Sequence, residues 1–435
     1  MVDKIKIAYI CHLSNNSIQK RLPLTLGFFD RLLLFKNHLP QTPYVPEFAI
    51  WNSNAIRELK KYHNEVEVFV ISPYRYLKPK YYHYEEEGIQ YFFYRSDDDA
   101  FLLRLFRFIF KKECSYKRNR DIIKEYIEEI KPDIVHCVGA ENPYYSISAL
   151  DIPTTIPLLV QLQTLMSDPD FENNYPISHA SYVYRAGIER EILKRADYIG
   201  TTCDSFIQII KADIKKDAVI LRTILALAEP VNIDDHVHKE FDFVYFAADI
   251  SKAADLAVEA FIIASKTHPN ITLNIVGGYT LDYKKEIEER LSEENLLQNV
   301  YFSGTLPTHD DVINQIRLSR FALLPLKIDL VSGTIRESMA NGLPVVTTLT
   351  AGTPSLNEKR ETVLLSDIGN HSALANNMCV LLENPELADK LRRNGREYME
   401  ELDSNQLRVR TYIDIYHALL KNFHEKVQIP QVLLS

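Results

Sequence analysis

Short runs of β-branched and other apolar residues alternate with stretches of helical period along almost the whole chain. In the first half, Ile5–Cys11, Val66–Ile71, Ile134–Cys137, Leu158–Gln161 and Ile199–Thr202 predict strands. The second half repeats the scheme with Val244–Ala248, Ile271–Val276, Val300–Phe302, Ala322–Pro325, Val345–Thr347 and Val363–Leu365, and helices such as Leu256–Lys266 and Leu281–Glu293 fit between them. Recurrent βα units of this kind predict mainly parallel sheets covered by helices, an α/β class. The segment LALAEPVNIDDHVHKEFDF breaks the rhythm with Pro230, Asp234 and Asp235, so a linker is placed near 229–240, dividing the chain into domains 1–230 and 231–404. Beyond it, Leu407, Val409, Tyr412, Ile413, Tyr416, Leu419 and Leu420 recur at helical spacing. They predict a helix over about 405–425 with one face to bury, and the first domain is the expected place for that face.

Composition narrows the class. At 435 residues the chain exceeds the size at which a single core stops growing, which agrees with two domains. A net charge of −9 argues against a protein whose task is to grip nucleic acid. The five cysteines, Cys11, Cys114, Cys137, Cys203 and Cys379, are far apart and form no ligand cluster, so they read as reduced thiols. The apolar runs fall short of the roughly 20 residues that cross a bilayer, and the N-terminus reads as a strand instead of a secretion signal. The expectation is a cytoplasmic protein.

The richest chemistry lies between Leu324 and Pro354. Ser332 and Gly333 allow a close backbone turn, and a helix beginning near Thr334 aims free N–H groups and a positive dipole end outward, which suits a diphosphate. Glu337 has two readings: a capping-box partner for Thr334, or a ligand-binding carboxylate. Asp329 is likewise either a turn-forming carboxylate or part of a site.

The run Glu337-Ser338-Met339-Ala340-Asn341-Gly342-Leu343-Pro344-Val345-Val346 resembles the corresponding pattern of the family 4 glycosyltransferases. That resemblance implies a GT-B fold, two Rossmann-like doubly wound domains facing a central cleft. It also implies transfer of a sugar from a nucleotide sugar, a UDP-sugar in the favoured reading, with retention of configuration. On the same resemblance Glu337 holds the ribose, Asp329 faces the donor sugar, and Gly333 and Thr334 offer backbone amides. Ser332, Gly277 and Gly278 join the donor-binding set, the glycines as a strand-end turn beneath the nucleotide.

Lys252 matches the family's diphosphate-binding lysine, or is a solvated residue at a helix start. Asp249 stands where the family places an arginine. On the acceptor side the resemblance points to His136 and to Gln163, the latter where a histidine is usual; a lone histidine on an apolar strand is otherwise a satisfied core group.

The implied partners are the nucleotide sugar and a saccharide or lipid-linked acceptor of cell-envelope polysaccharide synthesis, with no nucleic acid. No metal or other cofactor is expected, since neither an Asp-x-Asp nor a His/Glu cluster stands at a predicted strand end. The apolar and basic stretch 101–120 reads either as a contact with the cytoplasmic membrane face or as a buried amphipathic helix. Two other functions stay open on the sequence: a binding or scaffold subunit without turnover, and an epimerase or hydrolase of nucleotide sugars.

Overall fold

The structure is a computed structural model. It describes residues 4–36, 41–43, 47–96, 115–169, 171, 177–226, 237–249, 253–327, 332–350, 352–402 and 404–435. Two compact units emerge. One comprises Met1–Asn173, Ile177–Ala226 and Asn405–Ser435, and the other is built essentially on Leu227–Ser404.

The strands of unit 1 are β1 (Ile5–Ile10), β2 (Val66–Pro73), β3 (Tyr81–Glu86), β4 (Ile89–Tyr94), β5 (Ile134–Val138), β6 (Leu158–Gln161), β7 (Tyr198–Gly200) and β8 (Val219–Leu221). They form one sheet in the order β3-β4-β2-β1-β5-β6-β7-β8. All neighbours run parallel except β3 and β4. Mainly apolar runs such as IKIAYI, exposed only at Lys6, and IVHCV suit strands covered on both faces.

The β3–β4 hairpin is additional to the strands expected from sequence. Its turn is Glu87-Gly88, both at positive φ (51° and 79°), the backbone that a two-residue hairpin of matching twist requires. Cross-strand pairs His83–Phe92 and Tyr84–Tyr91 stack with centroids 4.3 and 4.9 Å apart, so aromatic contact supports the pairing.

The helix Asn405–Glu425 belongs to unit 1. Val409, Tyr412, Ile413, Tyr416 and Leu419 lie in that unit's core. Tyr198 Oη donates to Asn422 Oδ1 at 2.7 Å, and Arg410 pairs with Glu65 at 2.9 Å. Of the stretch 101–120, residues 101–114 lie outside the described residues. Lys117–Ile130 is a helix whose face Ile122, Ile123, Tyr126, Ile127 and Ile130 is buried, with Arg120 paired to Asp151 at 2.6 Å.

Unit 2 contains β9 (Phe241–Asp249), β10 (Leu273–Gly278), β11 (Val300–Gly304), β12 (Ser319–Leu324), β13 (Val345–Thr348) and β14 (Val363–Ser366). These make a wholly parallel sheet in the order β11-β10-β9-β12-β13-β14. The chain builds outward from β9 through β10 and β11, then returns to the other side of β9 with β12. The switch point therefore lies between β9 and β12, where doubly wound sheets receive ligands at the carboxyl ends of their strands. In unit 1 the same reversal falls between β1 and β5. No described helix is long and apolar enough to cross a membrane.

Candidate active site

In unit 2, β12 runs out toward the helix Gly333–Ala340, with Ser332 as its N-cap residue. Ser332 Oγ makes no cap hydrogen bond and instead meets Thr334 Oγ1 at 2.8 Å. The first amides of this helix are thus not consumed by an N-cap side chain, and the dipole's positive end lies there. From Ile335 to Ala340 the helix is buried, which fixes it against the sheet. Residues 328–331, Asp329 among them, lie outside the described residues.

Glu337 does not form the capping box that Thr334 would allow. It is one turn inside the helix, 6% exposed, and its Oε1 lies 2.9 Å from Nε2 of His309. His309 opens the helix His309–Ile316, which follows β11 and begins with a capping box made by Thr308 and Asp311. That cap holds the histidine at the start of the helix between β11 and β12, from where it reaches the helix that carries Glu337. The sequence reading missed His309; the visible signal was the Thr308-to-Asp311 cap immediately around it.

Gly277 and Gly278 end β10. Gly277 has φ 139°, a conformation open to glycine, and the register shifts there so that Gly278 faces Asp249 of β9. Lys252 lies outside the described residues. Near that strand end Lys327, just past β12, reaches Asp255 at 3.1 Å. Lys327 is a second residue that the sequence reading passed over, hidden because a lysine after a strand has no motif of its own.

Gly342 also has a specific cause. Its φ is 72°, and a Cβ there would stand 2.4 Å from Arg396 Nη2, so the glycine admits close approach of the arginine from the helix Pro385–Leu402.

In unit 1 the acceptor-side expectation for His136 is corrected. The ring is fully buried, its Nδ1 is 2.7 Å from Tyr416 Oη and its Nε2 is 3.1 Å from Gln161 Oε1. Burial pushes its pKa down to about 3, and with both nitrogens engaged it is a core group that ties β5 to the last helix. Gln163 is partly exposed past β6, with Nε2 donating to Val138 O at 3.0 Å.

The turn carrying Gln163 is held by Glu189, a fully buried carboxylate that accepts the backbone N–H groups of Met166 and Ser167, each at 2.9 Å. Desolvation outweighs those bonds and raises its pKa to about 7. At the end of β1, His12 contacts Tyr144 through Nδ1 and packs its ring against Tyr145 and Phe48. Burial pushes its pKa down to about 4.

Among the described residues no group of three or more His, Cys, Asp or Glu side chains is arranged to hold a metal ion.

Two parallel-sheet α/β units, with a helix start and a buried glutamate beside the switch point of the second, define the GT-B class, and the comparisons agree. Residues 233–398 match the family described as Glycosyl transferases group 1. The chain is 21% identical over 310 residues to the uncharacterized glycosyltransferase YqgM of Bacillus subtilis, a span covering 69% of this chain and 85% of that protein. Among solved structures it superposes on sucrose-phosphate synthase from Thermosynechococcus elongatus with TM-score 0.67 at 16% identity, covering 96% of this chain and 99% of that one. It is also similar to the pneumococcal O-GlcNAc transferase GtfA, solved in complex with UDP and GlcNAc. There the TM-score is 0.54 at 14% identity, over 68% of this chain and 60% of that one.

The protein is a glycosyltransferase of GT-B fold, and its second unit is a group 1 glycosyltransferase domain.

Proposed function

We propose that the enzyme moves a sugar from a nucleoside-diphosphate sugar, UDP-linked in the favoured reading, to a saccharide or lipid-linked acceptor of the cell envelope, retaining anomeric configuration. The observation that carries this reading is the pairing of a helix start at Ser332-Gly333-Thr334 with the buried Glu337–His309 contact in one unit. The amides suit a diphosphate, and the carboxylate suits the vicinal hydroxyls of a ribose.

In this reading Gly333 and Thr334 donate to the phosphates, Glu337 accepts from the ribose, and Asp329 faces the donor sugar. Lys252 and Lys327 supply positive charge near the diphosphate. The bond from the anomeric carbon to the phosphate oxygen breaks as the acceptor oxygen bonds to the same face. The acceptor's proton passes to the leaving phosphate, so neither a metal nor a protein base is required. The GtfA complex with UDP and GlcNAc supports a uridine nucleotide by analogy of fold.

Acceptors at a membrane surface fit the apolar and basic composition of 101–120. They also fit the helix Phe28–Lys36, where Phe28, Leu32 and Phe35 are 71%, 50% and 76% exposed. Incubation with labelled UDP-sugars and a membrane extract is expected to yield a labelled glycolipid or polysaccharide. Absence of UDP binding by calorimetry would refute the reading.

A further inference from the structure

The sheet of unit 1 ends on β3, which has β4 on one side and no described strand on the other. In an antiparallel ladder alternate residues turn their N–H and C=O toward the neighbouring strand, and the residues between turn theirs outward. Lys80 O accepts from Arg95 N–H at 3.1 Å, so the inward set is Lys80, Tyr82, Tyr84 and Glu86. Tyr81, His83 and Glu85 therefore point their backbone donors and acceptors away from the sheet. Among the described residues nothing bonds to those groups.

Unpaired strand edges recruit other strands, and proteins blunt them with a proline, a bulge or interspersed charge. Between Tyr81 and Glu86 there is no proline, and the register with β4 is unbroken. The charge is sorted instead of interspersed. Lys78 and Lys80, both exposed, precede the strand, while Glu85, Glu86 and Glu87 close it. A segment with cations at its beginning and anions at its end is complementary to an antiparallel copy of itself, whereas a parallel copy would set like charges together.

The same residues fix the register. Outward residues must face outward residues, and only a pairing centred on His83 opposite the partner's His83 uses all of them, with Tyr81 against the partner's Glu85 and Glu85 against the partner's Tyr81. This register also sets Lys80 opposite the partner's Glu86, and Tyr82 opposite the partner's Tyr84, on one face. Lys80 is available for that contact: its ammonium lies over the ring of Tyr81 and makes no ion pair among the described residues. Glu86 gives Oε1 to Arg21 and keeps a second oxygen for the lysine. The tyrosine pair extends a ladder already present, in which Tyr82, Tyr84, Tyr91 and Phe93 follow one another with centroids 6.0, 4.9 and 6.0 Å apart.

We propose that β3 is a homodimer interface: two copies of the chain pair their β3 strands antiparallel about a twofold axis at His83, joining the two unit 1 sheets into one. Each contact then occurs twice, and the assembly closes at two copies. The dimer does not depend on the transfer chemistry proposed above.

The test is sedimentation velocity of the full chain over roughly a hundredfold range of concentration. The wild type is expected to pass from monomer to dimer and no further. Lys80→Glu sets a glutamate against the partner's Glu86 at both ends of the interface and is expected to weaken dimerisation by about tenfold or more; Glu86→Lys, which opposes two lysines, is expected to do the same. Mixing the two variants in equal amounts restores opposite charges at both ends, so a heterodimer of near wild-type strength is expected, read by a fluorescent label on one variant. His83→Pro removes an outward N–H without touching the ladder to β4, and is expected to abolish the dimer while leaving the circular dichroism of the wild type. A wild type that stays monomeric or assembles beyond two copies overturns the proposal. So does a dimer indifferent to these substitutions, or a pair of charge variants that fail to complement each other on mixing.

Discussion

His309 Nε2 meets Glu337 Oε1 at 2.9 Å between two helices, one following β11 and the other following β12. The contact orients the one buried carboxylate of the Gly333–Ala340 helix without consuming its second oxygen. His309→Gln is expected to weaken UDP binding by several-fold while Glu337→Gln lowers transfer by roughly 10- to 100-fold, in line with loss of a charge-assisted hydrogen bond. Calorimetry with UDP and transfer rates with labelled donor check both, and a Glu337→Gln enzyme of full activity would remove Glu337 from the site.

Lys327 faces Asp255 across the strand ends of unit 2, at partial exposure. Lys327→Ala is expected to weaken UDP binding by roughly three- to tenfold, and added salt should weaken the variant less than the wild type because one screened attraction has been deleted. Equal salt slopes would place Lys327 away from the diphosphate.

Gly342 combines positive φ with direct apposition of Arg396. Gly342→Ala is expected to destabilise unit 2 by about 2 kcal/mol or more, since both backbone strain and displacement of the guanidinium oppose it. Urea unfolding gives the value, and an unchanged midpoint would contradict the geometry.

Glu189 holds two backbone amides of the turn that precedes residue 168. Glu189→Ala leaves both donors without their acceptor and is expected to cost about 2–4 kcal/mol. Glu189→Gln keeps one acceptor oxygen and is expected to recover part of that loss in the same urea series.

The pH dependence of unit 1 follows from four buried groups. Glu141 and Glu189 have raised pKa values, about 6 and about 7, so their contribution is fully present below the ordinary value of 4.5 and is lost as pH rises through the folded value. His12 and His136 are depressed to about 4 and about 3, so theirs is present above 6.5 and is lost as pH falls toward the folded values. Between pH about 5 and 6.5 the two pairs oppose each other and stability should be nearly flat, whereas below about 4.5 the histidines alone remain and acid destabilises. Replacing His136 by Gln should flatten the acid limb, measured by urea midpoints from pH 3 to 8, a range of about 5 units chosen to span these titrations.

Much of the fold was legible because strands covered on both faces are short runs of mainly apolar and β-branched residues, as in Ile5–Ile10, interrupted only by Lys6, and Val345–Thr348. The β3–β4 hairpin was harder to read: Tyr81–Glu86 is polar and aromatic, half-buried, and stabilised by rings on the partner strand. Glu337 was legible through its local motif. His309 was not, since its meaning comes from a residue 28 positions away. His136 misled because an imidazole at the end of an apolar strand looks the same in sequence whether it meets a ligand or, as here, a tyrosine 280 positions later. Glu141 sits in the irregular stretch Gly139–Asn142, where no periodicity marks a side chain as buried.

The return of residues 405–435 to unit 1 gives biosynthesis an order. All of unit 2 leaves the ribosome before the segment that supplies Tyr412 and Tyr416 to the older core, so unit 2 is able to finish folding while the earlier half still waits with an uncovered apolar face. The half made first is therefore completed last, and chaperone dependence during synthesis should concentrate there.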